Sequence, residues 1–321
     1  MKDRQSIKGS IMLSTRDYFA EILPWQGANC IRLHHVPSGA ELLRTPGRPE
    51  DYTEKNPFLY GMPLLFWPNR IQTGRFIYEG REYRFPVNEK STGCHLHGTL
   101  HQTLFQVEAT SKNRGVFSYS ASEERPYHGF PHAFTLEVEY LLTDDGLQQT
   151  VTMKNNSNCV MPFALAFHTT FRIPFLPDSE SEHISILVPN DGEYQRDKDF
   201  LPTGKLITEK RELIDLNEGS FVPGHNKISA LLKRQEGGKV LLTDRYTGLQ
   251  VAYCVDEKYR CWMLFNGGAK DLVCIEPQTC ISNAPYASLP DTERGLLLIE
   301  PSESIVLKTL LYVAGYTKSK G

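Results

Sequence analysis

Two groups of polar residues that could bind a small molecule lie at the two ends of the stretch from residue 68 to residue 98. Asn69 and Arg70 place an amide beside a guanidinium near its start, and His95 and His97 place two imidazoles near its end. The chain between them alternates aromatic and polar residues on either side of a Glu-Gly pair, which is typical of a β-hairpin. Because a hairpin folds the chain back on itself, both groups are expected at one rim, where they could hold a polar small molecule.

A carboxylate that could act as a base occurs near the end of the apolar segment from residue 272 to residue 278. Side chains alternate along a strand, so Cys274, Glu276 and Gln278 are predicted to share one face. A carboxylate at the mouth of an apolar strand is partly stripped of water, which raises its pKa toward the range useful to a general base near neutral pH. An exposed glutamate in a salt bridge is the alternative that the local sequence leaves open.

A histidine that could transfer a proton lies inside a nearly continuous apolar run from residue 160 to residue 171, which is predicted to form one strand buried on both faces. Burial of an imidazole without partners is costly, so His168 must either find hydrogen bonds or face a cavity. Histidine is also the side chain best suited to exchange a proton near neutral pH. A core histidine with satisfied hydrogen bonds remains the alternative.

The histidines at positions 95 and 97 would project from the same face of an extended segment, a spacing that could serve a metal. A metal needs a third or fourth ligand of matching geometry. The other histidines considered come without a recognisable motif: His101, His128 and His132. A metal site is therefore disfavoured, and His97 is better suited to exchange hydrogen bonds with a ligand, with a loop histidine or a cap for the turn at Gly98 as the alternative.

Arg70 can donate a planar fork of hydrogen bonds to ligand oxygens. A surface ion pair is the commoner role of an arginine and stays open here. Either role needs the hairpin to bring Arg70 and His97 together.

The bulk composition is that of an ordinary globular enzyme or binding protein. The chain has 321 residues, of which 40% are apolar, and its formal net charge of -3 gives no reason to expect a nucleic acid or a membrane surface as partner. The sequence contains no Walker A motif, dinucleotide-binding fingerprint, nucleophile elbow or H-E-x-x-H motif. Nucleotide-dependent chemistry, serine hydrolysis of the elbow type and zincin proteolysis therefore lack support.

Cysteine usage and the N-terminus favour a cytoplasmic protein. The seven cysteines are odd in number and no pair has C-x-x-C spacing, so they are interpreted as reduced thiols. The N-terminal residues 1–6 lead into no apolar run of signal-peptide length, and no stretch is long enough to cross a membrane.

Strand patterns dominate the chain, and 20 prolines and 24 glycines interrupt it at roughly strand-length spacing. The clearest case runs from residue 132 to residue 142, where Phe134, Leu136, Val138 and Tyr140 should share a buried face. Residues 40–57 are predicted to form a loop, and residues 205–216 an irregular segment. With no linker or repeat, residues 1–321 are predicted to form one large all-β domain.

Several segments, taken in order, resemble the aldose 1-epimerase (galactose mutarotase) family. The segments that carry the resemblance are Pro68-Asn-Arg-Ile71, Tyr83-Arg-Phe-Pro-Val-Asn-Glu89, His95-Leu-His-Gly98, Phe167-His-Thr-Thr-Phe171 and Cys274-Ile-Glu-Pro-Gln-Thr279. The resemblance implies a β-supersandwich fold with no metal or organic cofactor. It also implies a mutarotase of free aldohexoses such as galactose or glucose, existing as a monomer or homodimer with a small sugar as its partner.

Carried over by position, the resemblance gives Glu276 the role of general base and His168 that of general acid. Asn69, Arg70 and His97 match the residues that hold the sugar hydroxyls. Two positions depart from the family pattern. An aspartate that often holds sugar hydroxyls is missing near residues 222–227, where Asn226 is the nearest polar substitute, and Met263 stands where a polar sugar contact is common.

Three other functions are alternatives to a mutarotase of free aldohexoses. One is an epimerase of a phosphorylated or otherwise modified sugar; a phosphate would need an arginine cluster, but strand alternation does not aim Arg75, Arg81 and Arg84 together. A non-catalytic sugar-binding protein would not need both His168 and Glu276. A glycoside hydrolase needs two carboxylates across the scissile bond, and the sequence nominates only one.

Overall fold

The structure, a computed structural model, describes residues 7–47 and 56–316 of the protein. Antiparallel strands dominate these residues, which confirms the predicted all-β class. Residues 1–6, on which the prediction of no leader segment partly rests, lie outside the described residues, as does the 48–55 part of the predicted loop. The part of the chain that is described contains no helix long and apolar enough to cross a membrane.

The described residues form 26 strands. In chain order they are β1 (Ile11–Ser14), β2 (Tyr18–Leu23), β3 (Asn29–His35), β4 (Ala40–Glu41), β5 (Leu64–Leu65), β6 (Arg70–Gln72), β7 (Arg75–Tyr78), β8 (Arg81–Arg84), β9 (Cys94–Leu96), β10 (Gln106–Thr110), β11 (Arg114–Ala121), β12 (Phe134–Thr143), β13 (Gly146–Asn155), β14 (Met161–Phe163), β15 (Ala166–Phe167), β16 (Thr170–Arg172), β17 (Ile184–Leu187), β18 (Asn190–Arg196), β19 (Pro202–Ile207), β20 (Ser229–Arg234), β21 (Val240–Asp244), β22 (Gln250–Val255), β23 (Cys261–Phe265), β24 (Leu272–Gln278), β25 (Leu297–Ile299) and β26 (Ser304–Gly315).

Helices are few and short. Within the described ranges the two α-helices are α1 (Arg211–Glu218) and α2 (Asp291–Arg294). The chain also makes short 3-10 turns at Pro24–Gln26, Pro57–Leu59, Leu100–Gln102 and Ser181–His183. The prediction of an irregular segment over residues 205–216 is wrong, because the chain there completes β19 and then forms most of α1. A helix of 8 residues that buries only Leu213 and Leu216 is too short to show a clear helical period in the sequence.

Two eight-stranded sheets make up most of the molecule. The first has the order β10-β11-β12-β13-β26-β22-β21-β17. The second has the order β19-β18-β20-β23-β24-β15-β5, with β16 also paired to β24. A four-stranded sheet (β1 to β4) and three strand pairs (β6-β9, β7-β8 and β14-β25) complete the fold within the described residues.

The two large sheets pack against each other through aromatic side chains. The ring of Tyr253 on β22 lies 5.9 Å from Trp262 on β23 and 5.9 Å from Phe171 on β16. Its hydroxyl is 3.1 Å from the Thr169 hydroxyl, so this polar atom is satisfied inside the core. Face-to-face packing of two antiparallel sheets confirms the predicted sandwich.

The sequence predicts the alternating burial of a strand correctly where one face of that strand meets solvent. Every second residue of β12 is buried, including the four predicted from Phe134 to Tyr140, while the residues between them are partly exposed. In contrast, all seven residues of β24 are buried, because this central strand is covered on both faces. A carboxylate on β24 is therefore deeply buried rather than placed at an exposed strand end.

The prediction of one continuous strand over residues 160–171 is wrong. The chain forms three short strands there, and each has its own pairing: β14 with β25, β15 with β5 and β24, and β16 with β24. All residues from 161 to 171 are buried, so the hydrophobic pattern does not reveal the two breaks. The second break, between β15 and β16, contains His168.

The predicted hairpin is confirmed. β7 and β8 pair around Glu79 and Gly80, whose φ angles of +47° and +76° fit a turn in which both central residues are left-handed. Beyond the hairpin, β6 pairs with β9, and Arg70 lies opposite Leu96. The two polar ends of the stretch from residue 68 to residue 98 therefore meet, as the alternation predicts.

Gly98 follows His97 at a position that accepts only glycine. Its φ is +67°, and an added Cβ would lie 1.7 Å from the Phe66 carbonyl oxygen. Gly98→Ala is therefore expected to lower the free energy of unfolding by about 2–5 kcal/mol, as left-handed strain of about 1–2 kcal/mol adds to an overpacking cost of about 1–3 kcal/mol. Urea unfolding monitored by tryptophan fluorescence measures the loss.

Gly80→Ala is the matched control for this variant. Gly80 has a similar φ of +76°, but an added Cβ meets nothing within 4 Å. It should show only the strain of about 1–2 kcal/mol. Equal losses in the two variants would contradict the role assigned to the contact with Phe66.

Candidate active site

A cavity of about 210 Å³ opens where β24, β23, β18 and the chain before β6 come together. Asn69, Arg70, His97, His168 and Glu276 all line it, so the structure brings five of the six predicted site residues to one place. Its apolar lining includes Phe58, Phe200 and Phe265. A small cavity with apolar walls and a few convergent polar groups is the usual form of a small-molecule site.

Glu276 is fixed by its strand and by a hydrogen-bonded neighbour on the same face. Its Oε2 accepts a hydrogen bond from Gln278 Nε2 at 3.1 Å, and Gln278 Oε1 accepts one from Asn69 Nδ2 at 3.4 Å. Glu276 and Gln278 share one face of β24, as predicted. Through Gln278, a chain of hydrogen bonds links Glu276 to Asn69, some two hundred positions away in the sequence.

Burial controls the acidity of Glu276. Only 2% of this residue is exposed, and loss of water raises the pKa of its carboxyl from 4.5 to about 8. The hydrogen bond from Gln278 and the charges of Arg196 and Arg70 oppose this rise in pKa but do not cancel it. Glu276 is therefore protonated at neutral pH.

His168 contacts Glu276 directly, with 3.2 Å between Nε2 and Oε1. Its backbone N–H donates to the Pro63 carbonyl at 2.9 Å. This bond holds the break between β15 and β16 against the segment that leads into β5. Burial lowers the pKa of His168 from 6.5 to about 3. Because burial disfavours both charged forms, the pair holds one shared proton across the neutral range.

That shared proton gives the pair two forms of equal proton content. In one form a carboxylic acid meets a neutral imidazole, and in the other a carboxylate meets an imidazolium. Transfer of the proton across the 3.2 Å contact converts one into the other without exchange with solvent. The pair can therefore present a base and an acid to a ligand at the same time.

Asn69 and His97 hold each other in place. Both have left-handed backbones, with φ of +57° and +65°. The His97 N–H donates to the Asn69 carbonyl at 3.0 Å, and the Asn69 N–H donates to His97 Nδ1 at 3.3 Å. Burial keeps the pKa of His97 well below 6.5, so the ring is neutral. Since Nδ1 accepts a hydrogen bond, the proton lies on Nε2, which makes His97 a donor in the cavity that it lines.

His95 lies outside the cavity, contrary to the expectation that it shares a face with His97. Its ring stacks on Phe85 with centroids 4.9 Å apart, and Nδ1 is 2.7 Å from the Pro86 carbonyl. The left-handed backbone of His97 breaks the extended geometry that would have aligned the two rings. The described residues contain no group of three or more His, Cys, Asp or Glu side chains that could hold a metal ion.

Arg70 lies at the cavity with its guanidinium fork already occupied. Its Nε and Nη2 donate to the two carboxylate oxygens of Glu89 at 2.7 and 2.6 Å. The ring of Phe200 packs on the other side, 4.6 Å from the guanidinium carbon. The ion-pair alternative is therefore observed, and a role of Arg70 toward a ligand stays a prediction for a residue that lines the cavity. Glu89, inside a segment that carries the resemblance, was not recognised as its partner.

Asn226 is not brought to the cavity. It is exposed, and its side-chain amide donates to the Val222 backbone carbonyl at 3.0 Å. Its backbone carbonyl accepts a hydrogen bond from the Asn266 side-chain amide at 2.8 Å. These bonds shape the turn before β20 and leave Asn226 outside the cavity lining.

Other lining residues were missed by the sequence reading. Arg196 at the end of β18, Ser229 at the start of β20 and Phe200 in the turn after β18 all reach the cavity. No local pattern marks them, because they are spaced like ordinary strand ends and turns. Met263, noted as a departure from the family pattern, does line the cavity, directly opposite Glu276 in the β23-β24 register.

The fold and the site together define a sugar-epimerase class, in which a buried carboxyl group and a histidine meet in a small cavity on an antiparallel sandwich. The chain belongs to the aldose 1-epimerase family, whose model matches residues 11–312. This confirms the resemblance inferred from the sequence.

Individual relatives agree with this membership. The uncharacterised protein YihR of Escherichia coli is 25% identical over 299 residues, which are 91% of this chain and 89% of that protein. Galactose mutarotase of Rattus norvegicus is 24% identical over 172 residues, 53% of this chain and 48% of the rat protein. A solved galactose mutarotase-like protein from Clostridium acetobutylicum has a TM-score of 0.89 at 28% identity and covers 96% of this chain and 95% of its own.

Burial of the Glu276 carboxyl should make the stability of the protein depend on pH. Since the pKa of Glu276 is raised from 4.5 to about 8 by folding, its contribution to stability is fully present below about pH 4.5 and is lost as the pH rises to about 8. Glu276→Gln cannot titrate, so the variant should gain stability relative to wild type as pH rises from 5 to 8. Urea unfolding of both proteins at each pH measures this difference.

Glu236→Gln is the control for loss of one carboxylate, because Glu236 lies on an exposed turn between β20 and β21. Its difference from wild type should stay level over the same pH range. If the Glu276→Gln difference is equally level, Glu276 is not the desolvated acid described here.

Proposed function

We propose that the protein is an aldose 1-epimerase that interconverts the α and β anomers of an aldohexose, with galactose and glucose as reference substrates. The observation that carries this proposal is the 3.2 Å contact between His168 Nε2 and Glu276 Oε1 in the cavity. Exchange of anomers requires a base at the hydroxyl oxygen on C1 and an acid at the ring oxygen. These two oxygens are bonded to the same carbon, so a base and an acid in direct contact suit them.

Each proton and electron pair has a place in the proposed reaction. The Glu276 carboxylate takes the proton from the C1 hydroxyl, the electrons of that O–H bond form the aldehyde C=O, and the bond between C1 and the ring oxygen breaks. The His168 imidazolium gives its proton to the ring oxygen. Rotation about the bond between C1 and C2 then presents the other face of the aldehyde, and reclosure returns both protons. Each proton-transfer partner typically contributes about 10²–10⁴-fold.

The remaining cavity residues supply the proposed sugar contacts. His97 is a neutral donor, Asn69 is held by Gln278, and Arg70 is oriented by Glu89. Groups already held by their neighbours lose little freedom when a ligand binds, which favours them as hydroxyl ligands. Asn226 could take part only if the turn that holds it rearranged.

Two alternative functions have less support. The described lining of the cavity contains a single carboxylate, Glu276, whereas a glycoside hydrolase needs two that are about 5–10 Å apart. A sugar-binding protein without catalysis would gain nothing from a buried acid in contact with a buried imidazole, since leaving such groups in the core is costly.

The seven cysteines, all within the described ranges, are free thiols. This supports the proposal that the protein works in the reducing cytoplasm.

Polarimetry of freshly dissolved α-D-galactose and α-D-glucose tests the proposed reaction. Wild type should speed the relaxation of optical rotation well beyond the buffer rate. Glu276→Gln and His168→Gln should each lower kcat by about 10²–10⁴-fold, because each removes one proton-transfer partner. Wild type that does no better than buffer, on these and other aldoses, would defeat the proposal.

His128→Gln is the matched control for loss of an imidazole, since His128 is exposed and away from the cavity lining. It should keep the wild-type rate. Circular dichroism of each variant separates loss of activity from loss of fold.

The pH dependence of kcat/KM should report the shared proton. The pair loses that proton as the pH passes the Glu276 pKa of about 8, so kcat/KM should fall tenfold per pH unit above it. Gln278→Met removes the hydrogen bond that stabilises the Glu276 carboxylate, so the alkaline limb should move to higher pH.

Gln148→Met, on an exposed position of β13 in the other sheet, is the control and should leave that limb unmoved. A limb at the same pH in wild type and in Gln278→Met would show that it belongs to another group.

A further inference from the structure

A cationic side chain in the cavity has no anionic partner among the described residues. Arg196 Nη2 donates to the Ser229 carbonyl oxygen and, at 3.3 Å, to the Ser229 hydroxyl. Nη1 meets only the Met263 sulfur, at 3.8 Å, and a thioether is a weak acceptor. The nearby Glu193 carboxylate is bound by Lys210 Nζ at 2.8 Å. Arg196 thus keeps donors available in the cavity that it lines.

Arg70, the other arginine of the cavity, does have an anionic partner. Glu89 accepts from it with both carboxylate oxygens, so its charge is compensated within the protein. The ring of Phe200 is near both guanidinium groups, with its centroid 4.6 Å from the guanidinium carbon of Arg70 and 5.9 Å from that of Arg196. The site therefore contains one paired arginine and one unpaired arginine beside a single aromatic ring.

The turn that carries Phe200 is well defined. The Asp197 carboxylate accepts from the N–H groups of Asp199 and Leu201, each at 2.9 Å, and Phe200 has a left-handed φ of +63°. These bonds fix the ring over the arginines. The Arg196 side chain, at the end of β18, is held separately by its bonds to Ser229.

The charged groups that line the cavity leave it with a net positive charge. Burial keeps the pKa of His97 well below 6.5 and that of His168 at about 3, so both rings are neutral at pH 7. Glu276 is protonated there, because its pKa is about 8. With Arg70 paired to Glu89, Arg196 leaves the described part of the cavity with one uncompensated positive charge. A partly buried unpaired charge is costly, and an anionic ligand would relieve that cost.

We infer that the substrate is an aldose that carries one negative charge, and that Arg196 binds its anionic group. This inference rests on the proposed function, because the anomeric carbon must still face His168 and Glu276. The anionic group is then attached to another carbon of the sugar.

The charge count also selects the kind of anion. A carboxylate or a sulfate ester carries a single negative charge, which one unpaired guanidinium compensates. A phosphate monoester carries about two charges at pH 7 and would leave one of them uncompensated. The substrate class is therefore a uronic acid or a sulfated aldose rather than a sugar phosphate.

A competing role for Arg196 is to tune Glu276 through its charge, which favours the carboxylate form. That effect would act on every substrate alike. The two roles are therefore separated by the ratio of kcat/KM between charged and neutral sugars, since a common factor cancels in the ratio.

The experiment measures anomer exchange at equilibrium by proton NMR, with the buffer rate subtracted for each sugar. The probes are glucose, galactose, their 6-carboxylates (glucuronate and galacturonate), and their 6-sulfates and 6-phosphates. Wild type should show kcat/KM at least tenfold higher for a monoanionic sugar than for its neutral parent, with the phosphate below the monoanion. Arg196→Gln should lower the ratio by about 10- to 100-fold, the usual effect of losing a hydrogen bond to a charged group.

Two further variants complete the test. Arg196→Lys keeps the charge and should retain an intermediate ratio. Lys198→Gln removes one positive charge from the same turn, where the Lys198 side chain is 87% exposed, and should leave the ratio unchanged.

Each contrary result has a distinct meaning. A wild-type preference for neutral sugars, a preference for phosphates over monoanions, or an Arg196→Gln loss equal on all sugars would overturn this inference and leave the epimerase proposal standing. If no sugar exchanges faster than in buffer, the epimerase proposal fails and the inference about its substrate fails with it.

Discussion

The direct contact between a buried carboxyl and a buried imidazole is the constraint on which the rest of the site depends. Exclusion of water disfavours the charged form of both Glu276 and His168 at neutral pH. A carboxyl that is fully ionised in the resting state would be a weaker base. The buried position on the second large sheet thus raises the proton affinity of the carboxyl, as the proposed reaction requires of its base.

This environment is costly for the fold, and the surrounding structure offsets the cost with directed hydrogen bonds. Gln278 satisfies one oxygen of Glu276 and is itself held by Asn69. Asn69 and His97 then fix each other through two hydrogen bonds and left-handed backbones. Gly98 allows the chain to pass within contact distance of Phe66. Glu276, Gln278, Asn69 and His97 thus belong to one connected network of hydrogen bonds.

Family membership describes the chemistry of this site better than it describes the ligand. The chain matches the aldose 1-epimerase model over residues 11–312, yet its relatives are about a quarter identical or less by sequence. Glu276 and His168 occupy the part of the cavity made by β24 and the β15-β16 break. Arg196, Phe200 and Met263 build another part of the lining, and it is there that we propose the charge of the substrate is recognised.

The sequence by itself determined the class of fold, the hairpin and the identity of five cavity residues. Alternation in β12 and the Glu-Gly turn are local patterns, because they depend on residues a few positions apart. The tertiary structure alone decided the breaks in residues 160–171, the pairing of Arg70 with Glu89, and the place of Arg196. Continuous burial hides strand breaks, and an arginine carries no local mark of its partner. Asn226 shows the same limit, since its exposure depends on a turn that is held by the distant Asn266. Hydrophobic periodicity records which side of an element faces the core, whereas ion pairs and cavity walls depend on contacts between residues far apart in the chain.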